Sequence, residues 1–439
     1  MPTKPQDRSY DLGRPERAVL AGIRDRGTPG APAGPPGFVI SPDESMDELA
    51  RLAETMDYEP CARVTQERNA PDPATYLGKG KVAELKDIVS REEASCVIID
   101  GILSATQARN LEEALGVTAM DRTELILRIF AARANTSEGK LQVELARRRH
   151  ELTRLSGFGK EMSNLGGGIG TRGPGEREIE LDRRLIRERI SRLGKELRKV
   201  EKVRTEQRKK RRESGIPLIS LVGYTNAGKS TLFNALTGEE AYADDKLFAT
   251  LDPWTRKWVL PAGETVLLVD TVGFIQGLPH ELVAAFRATL EESVDSDVLV
   301  HVVDASSPAW PQQMATVAGV LTDLGVADRP RITCFNKMDR VPRAGLDTVL
   351  RLHAGSLAIS ALGEIGLDEL AAHVSRELSG KRETVSWQVP YSRWDVVFEI
   401  RRAGVVRDEK HGDESALITC ELKPEDVARF SRVLGSKPL

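Results

Sequence analysis

Cysteine is scarce: 439 residues hold four, Cys61, Cys96, Cys334 and Cys420, with no Cys-x-x-Cys pair. That spacing leaves no basis for a disulfide framework or a thiolate zinc site. Long apolar runs are missing too. No stretch approaches the roughly 20 apolar residues of a membrane-spanning helix, and Met1 to Tyr10 holds no apolar run of the signal-peptide kind. The expectation is a cytoplasmic protein without a membrane span, association with a membrane surface being left open. A surplus of either charge is also absent, since 63 Lys and Arg stand against 66 Asp and Glu for a net charge of −3. Whole-chain charge therefore names no partner. What is present, 40% hydrophobic and 29% charged residues, fits a globular chain, and at about 150 residues per domain its length suggests about three.

Residues 1–36 carry prolines at 2, 5, 15, 29, 32, 35 and 36 and bury too little apolar surface to offset ordering entropy, so they read as a flexible lead-in, with Arg17 to Ile23 as a short strand. From 37 to 134, apolar bursts (Phe38 to Ile40, Cys96 to Ile99, Val117 to Met120) alternate with helix-period stretches (Met46 to Met56, Lys81 to Ser90, Ser104 to Leu115). That is the pattern of a parallel α/β layer.

Over 135–214 the period changes. Leu141, Leu145, Arg148, Leu152 and Leu155, and later Ile186, Ile190, Leu193, Leu197 and Val200, step by three and four, as in a coiled-coil seam. Folding the two against each other as an antiparallel helical hairpin buries both. Glu176 to Glu213 holds 16 Lys and Arg against 9 Asp and Glu, which suits either a nucleic-acid face or a solvated helix with i,i+4 pairs. The loop between the helices is glycine-rich, from Gly157 to Gly175 with Lys160 and Arg172 interleaved. It can approach a phosphate backbone closely, or serve only as a connector.

The region 215–380 carries the chemistry. After the buried strand Ile216 to Val222 comes Gly223-Tyr224-Thr225-Asn226-Ala227-Gly228-Lys229-Ser230 and a helix from Thr231, the strand–loop–helix setting a P-loop requires. Backbone N–H groups there curl around phosphate, Lys229 reaches the β and γ oxygens, and the Ser230 hydroxyl ligates Mg²⁺. Phe248-Ala249-Thr250-Leu251-Asp252 holds the switch threonine, Thr250, a second Mg²⁺ ligand. Asp270-Thr271-Val272-Gly273 supplies a carboxylate that holds the metal through water and an N–H for the γ-phosphate. Lys229, Thr250 and Gly273 form the expected catalytic set. Asn336-Lys337-Met338-Asp339 follows a strand, and a buried Asp339 accepting from guanine N1–H and N2–H₂ would select GTP over ATP. Ser360-Ala361-Leu362 would give a backbone N–H to guanine O6. Phe274 stands where a water-orienting Gln is common, so turnover alone should be slow. Asn226 either helps to hold K⁺ against the phosphates or braces the loop.

These elements, with Tyr76-Leu77-Gly78-Lys79-Gly80-Lys81, Glu138 to Leu145, Gly167 to Glu176, Asp182-Arg183-Arg184 and Phe248 to Pro253, resemble the bacterial HflX family of ribosome-associated GTPases over nearly the whole chain. Only the P-loop among them is widely shared. The resemblance implies a GTPase that binds the large ribosomal subunit and splits or rescues stalled or stressed ribosomes. It turns Gly167, Gly168, Arg172, Arg183, Arg184 and Arg187 into expected contacts to ribosomal RNA, in a monomer with GTP or GDP and Mg²⁺ bound. It also points to ATP at Gly78-Lys79-Gly80-Lys81, where a plain turn before a helix is the alternative. The fold class expected is α/β: a P-loop GTPase domain with a doubly wound sheet, preceded by a smaller α/β domain with the hairpin and followed over 381–439 by a small α+β unit. In that unit Val397 to Ile400, Gly404 to Val406 and Ala416 to Glu421 are expected strands, with helices near Ser392 and from Pro424 to Leu434. A ribosome-assembly or RNA-modification GTPase would share every nucleotide motif, but the latter needs a reactive Cys near the carboxyl end. In a third reading the arm dimerises in a signalling adaptor.

Overall fold

The computed structural model describes residues 15–24, 42–163, 174–213, 215–238, 247–248, 250, 253–261, 263–275, 295–379, 383–422 and 424–439. Two compact units are present, Met1–Arg133 with Val143–Arg192 and Ala134–Gln142 with Leu193–Leu439.

In the first unit, β1 (Glu16–Arg24), β2 (Tyr58–Glu67), β3 (Cys96–Asp100) and β4 (Thr118–Asp121) form a parallel sheet in the order β2-β1-β3-β4. The short strand expected over Arg17 to Ile23 within the lead-in is β1, two residues longer than expected. An inner strand with Ala18 to Ala21 wholly buried belongs to the core. Phe38 to Ile40 lies outside the described residues. Helices α1 (Pro42–Thr55), α2 (Lys79–Arg91), α3 (Ala105–Leu115) and α4 (Arg122–Arg133) accompany the sheet. Ser104 caps α3 through a capping box with Gln107, and Gly116 ends it in the left-handed conformation.

Two long helices follow, α5 (Ser137–Ser163) and α6 (Pro174–Glu213). Within the first unit Arg183 donates to the Leu155 carbonyl and Arg189 pairs with Glu144 at 2.7 Å; within the second Arg204 pairs with Glu138 at 3.0 Å. On α6, Ile186, Leu193 and Leu197 are buried at the expected seam spacing.

The second unit has a six-stranded sheet in the order β10-β9-β8-β5-β7-β6, from β5 (Leu218–Gly223), β6 (Trp254–Val259), β7 (Thr265–Asp270), β8 (Val298–Asp304), β9 (Arg331–Asn336) and β10 (Leu357–Ala358). All pairs are parallel except that of the edge strand β6 with β7. The helices are α7 (Lys229–Thr237), α8 (Trp310–Asp323), α9 (Arg343–Leu352) and α10 (Leu367–Ser379). Because the strands are parallel, β5, β7, β8 and β9 all deliver their carboxyl ends to one edge, where ligands bind in such sheets. The carboxy-terminal part is an antiparallel sheet, β11 (Glu383–Pro390), β12 (Val405–His411) and β13 (Ser415–Leu422), in the order β11-β13-β12 with α11 (Trp394–Ala403) and α12 (Pro424–Leu434). Val397 to Ile400, expected as a strand, lies in α11. Val396, Val397 and Ile400 are buried together, spacing that fits one helical face, and so short an apolar run cannot separate strand from helix by itself.

Candidate guanine-nucleotide site

Thr225, Asn226 and Gly228 to Ser230, with residues at or just past the ends of β7, β9 and β10, line a cleft of about 420 Å³. Two glycines make it possible. Gly228, the residue before α7, sits at φ 91, and a Cβ there would strike the Asn336 amide. At Gly273 a Cβ would lie 2.8 Å from Thr225 Cα and 3.0 Å from Lys229 Nζ, so only glycine lets the chain after β7 close on the loop.

The Lys229 ammonium is buried and donates to the carbonyls of Gly223 at 3.2 Å and Tyr224 at 2.9 Å. Burial lowers its pKa to about 8, against the opposing pull of the Asp270 charge. Asp270, 1% exposed, has its carboxyl pKa raised by burial, a shift that Lys229 and the hydroxyls of Ser230 and Thr250 oppose. Ser230 Oγ lies 2.7 Å from Asp270 Oδ2, Thr250 Oγ1 lies 2.8 Å from the same atom, and the two hydroxyls are 2.8 Å apart. The three groups expected around Mg²⁺ thus meet in one triangle, and Asp270 Oδ1 is buried without a hydrogen-bond partner among the described residues. One carboxylate and two hydroxyls, with a buried oxygen left over, fit a hard divalent cation that takes its other ligands from phosphate and water.

Phe274 does not point a side chain at substrate. It is 3% exposed and closes a backbone bridge to the P-loop, Thr225 N–H to Phe274 O at 2.7 Å and Phe274 N–H to Gly223 O at 3.1 Å. Thr271 likewise serves the frame, its hydroxyl donating to the Leu221 carbonyl, while Tyr224, Ala227 and Val272 are buried behind the loop.

On the base side, Asn336 ties the P-loop to the β10 loop: its Nδ2 donates to Ala227 O at 2.8 Å and its Oδ1 accepts from Ala361 N–H at 2.9 Å. Met338 N–H donates to the Ile359 carbonyl at 3.2 Å. One expectation needs correction. Asp339 is not buried but lies exposed at the cleft rim, where the Ser360 hydroxyl, 2.6 Å from Oδ1, holds its carboxyl below the usual range. The backbone N–H expected for guanine O6 from Ser360-Ala361-Leu362 narrows to one residue: Ser360 N–H donates to Ile365 O and Ala361 N–H to Asn336, which leaves that of Leu362, a residue 75% exposed. Sequence reasoning missed Thr231 and Arg340, which also line the cleft, and Asp304, which pairs with Lys337 at 2.8 Å.

Ala249, Leu251 and Asp252, and the tip residues Gly167, Gly168 and Arg172, lie outside the described residues. Arg184 and Arg187 are 74% and 59% exposed, whereas Arg183 is only 17% exposed and serves the helix pair through the Leu155 carbonyl. The element proposed for ATP is the start of α2: Gly78 precedes the helix with its N–H donated to Gln66 Oε1 at 2.8 Å, and Lys81 pairs with Glu84.

Family models described as the GTP-binding GTPase N-terminal region, the GTP-binding GTPase middle region and the 50S ribosome-binding GTPase match residues 43–131, 133–211 and 218–337. The GTPase HflX of Caldanaerobacter subterraneus is 48% identical over 414 residues, covering 93% of this chain and 92% of that one. The chain belongs to the HflX family. The GTPase HflX of Escherichia coli is 43% identical over 343 residues, 77% of this chain and 80% of its own. A solved GTP-binding protein from Sulfolobus solfataricus in complex with GDP is 26% identical with a TM-score of 0.44, covering 83% of this chain and 99% of that one. As an HflX-family protein the chain is a GTPase with a P-loop GTP-binding domain. Among the described residues no helix is long and apolar enough to cross a membrane.

Proposed function

We propose that this HflX-family GTPase binds the large ribosomal subunit in its GTP state and splits or rescues stalled ribosomes, hydrolysis resetting it. The observation that carries the gating is the Ser230–Thr250–Asp270 triangle, which places the one described switch hydroxyl against a P-loop side chain and the carboxylate ending β7. A ligand shifts a conformational equilibrium only through contacts that differ between states, and Thr250 and Gly273 stand where a third phosphate adds contacts that GDP cannot. The ribosomal partner rests on the family model over 218–337, whose description names the 50S ribosome.

Ser230 and Thr250 would hold Mg²⁺ directly and Asp270 through water. When bound, that ion offsets charge on the β and γ oxygens. The chain's own part is to place Lys229 beside those oxygens, to keep water from the buried face of the loop, and to hold the base at Asp339 and Leu362. Phe274, committed to the backbone bridge, orients no water, so turnover should depend on a group from outside, the ribosome or a K⁺ held near Asn226. The RNA-modification reading loses its reactive thiol, because Cys420 is wholly buried in β13 and burial pushes its pKa up to about 11.

The test is sedimentation with large subunits, and light scattering of whole ribosomes, in GDP, GTP and a non-hydrolysable analogue. The analogue should raise pelleting over GDP, and Thr250→Ala should remove the difference. Equal pelleting in all nucleotides refutes the gating.

A further inference from the structure

Asp304 ends β8 and stands in register with Asn336, the last residue of β9. Its two oxygens have separate duties. Oδ1 accepts from the Ser306 N–H at 2.9 Å and the Ser306 hydroxyl at 2.6 Å; Oδ2 accepts from Lys337 Nζ at 2.8 Å. The same Nζ donates to the Asn226 carbonyl in the P-loop, again at 2.8 Å. Lys337 and Asn226 both have left-handed backbone, φ 62 and 58, a conformation that costs a residue with a Cβ roughly 1 kcal/mol and persists only where the surroundings hold it. Asp304 and Lys337 are each 17% exposed, so the pair is mostly out of solvent.

We propose that Asp304 is a positioning residue for guanine-nucleotide retention, holding the Lys337 ammonium on the Asn226 carbonyl so that the P-loop keeps its nucleotide-ready turn. The inference rests on the GTP-site reading above and deepens it. Asn336 makes one tie between the base side and the loop, and Asp304 through Lys337 makes a second that leaves no trace in the motif. Ser306 locks the carboxylate, so the ammonium meets a fixed partner instead of a mobile one. Without that partner Lys337 would be drawn toward water, releasing the Asn226 carbonyl. Asp304 touches neither Thr250 nor Gly273, so the loss should fall equally on GTP and GDP.

Stopped-flow release of fluorescently labelled GDP, and of a labelled non-hydrolysable GTP analogue, measures this on the full chain. Asp304→Ala should speed both by the same factor, roughly tenfold for a charge-assisted bond lost from a mostly buried place, and should raise KM for GTP more than it lowers kcat. Asp304→Asn keeps an acceptor oxygen and should change release by about threefold. In a Lys337→Met background, itself fast-releasing, neither substitution should add anything, since the path through the ammonium is gone. Should the alanine variant fail to fold, the asparagine variant carries the same comparison across the two backgrounds. Release from Asp304→Ala at the wild-type rate, or effects that add in full to those of Lys337→Met, overturns the role of Asp304. A wild-type protein that retains no labelled GDP at all overturns the site reading and this proposal with it, whereas retention that is lost in Asp339→Asn keeps the two failures apart.

Discussion

Nucleotide affinity should weaken as pH rises through 8, because burial of Lys229 lowers its pKa to about 8. The sign follows from linkage. Phosphate oxygens placed against the ammonium raise its pKa in the bound state, so below pH 8 both states carry the proton and affinity is full. Above pH 8 the free protein has lost the proton and binding must take one up. With a free-state pKa of about 8 and phosphates that keep the bound state protonated across this range, affinity should fall by about tenfold between pH 7 and pH 9, or roughly 1.4 kcal/mol. Calorimetric titration of GDP at pH 7, 8 and 9 gives the affinity. The same titration at pH 8.5 in two buffers of different ionisation enthalpy should show uptake of ~0.75 of a proton. Lys229→Arg is the control: its guanidinium stays charged across this range, so whatever affinity it retains should be nearly level, and any slope left over belongs to the guanine N1–H, which titrates higher. A wild-type affinity that is level from pH 7 to 9 with no proton uptake would mean that Lys229 is charged throughout and that its burial is offset in solution.

Asp339→Asn should lower GTP affinity by roughly tenfold, the low end for a charged hydrogen bond because the carboxylate is exposed at the cleft rim; equal affinities in calorimetry would remove Asp339 from the base site. Reversing Arg184 and Arg187 to Glu should weaken large-subunit pelleting and flatten its salt dependence, fewer counterions being released, with GTP affinity unchanged, whereas Arg183→Glu should instead lower the thermal midpoint, since its guanidinium serves the Leu155 carbonyl. Hydrolysis should be slow without ribosomes and faster in K⁺ than in Na⁺ at equal ionic strength, with Asn226→Ala removing the difference; identical wild-type rates in the two salts would leave Asn226 as a loop brace only.

How much of this could be read from the chain depends on whether the signal was local. The P-loop, Asp270 to Gly273 and Asn336 to Asp339 are short motifs whose spacing states their chemistry, and the cleft lining joins them. β1 is legible as the short strand Arg17 to Ile23, but the prolines and glycines on both sides give no sign that it is an inner strand of the sheet. β2 carries almost no pattern in the sequence, since Val64 alone among its residues is buried, the mark of an edge strand with little apolar periodicity. Asp304 could not be found by pattern. Its partner lies 33 residues on, and only the register of β8 against β9 brings them together. Arg183 looked like its neighbours Arg184 and Arg187 because a basic run does not say which side chain a second helix will cover.

The site is built from ties of two kinds, and the difference bears on how it switches. Three sets converge on the P-loop from behind and from the base side: the Phe274 backbone bridge, Asn336, and Asp304 through Lys337. None involves a group expected to meet the metal or the third phosphate, so they can persist whichever nucleotide is bound. The Ser230–Thr250–Asp270 triangle is different, since each of its three contacts, which the two hydroxyl protons satisfy two at a time, uses an oxygen that Mg²⁺ would claim directly or through water. Thr250 takes part in two of these contacts, so at about 1 kcal/mol each the triangle holds it by only about 1–2 kcal/mol. A two-state equilibrium is moved from almost all open to almost all closed by about 5.5 kcal/mol of differential binding, so contacts from one divalent ion and one phosphate are of the right size to decide the position of Thr250. The rigid ties then confine that change to the switch side, where a partner could read it without the base pocket loosening its hold on the nucleotide.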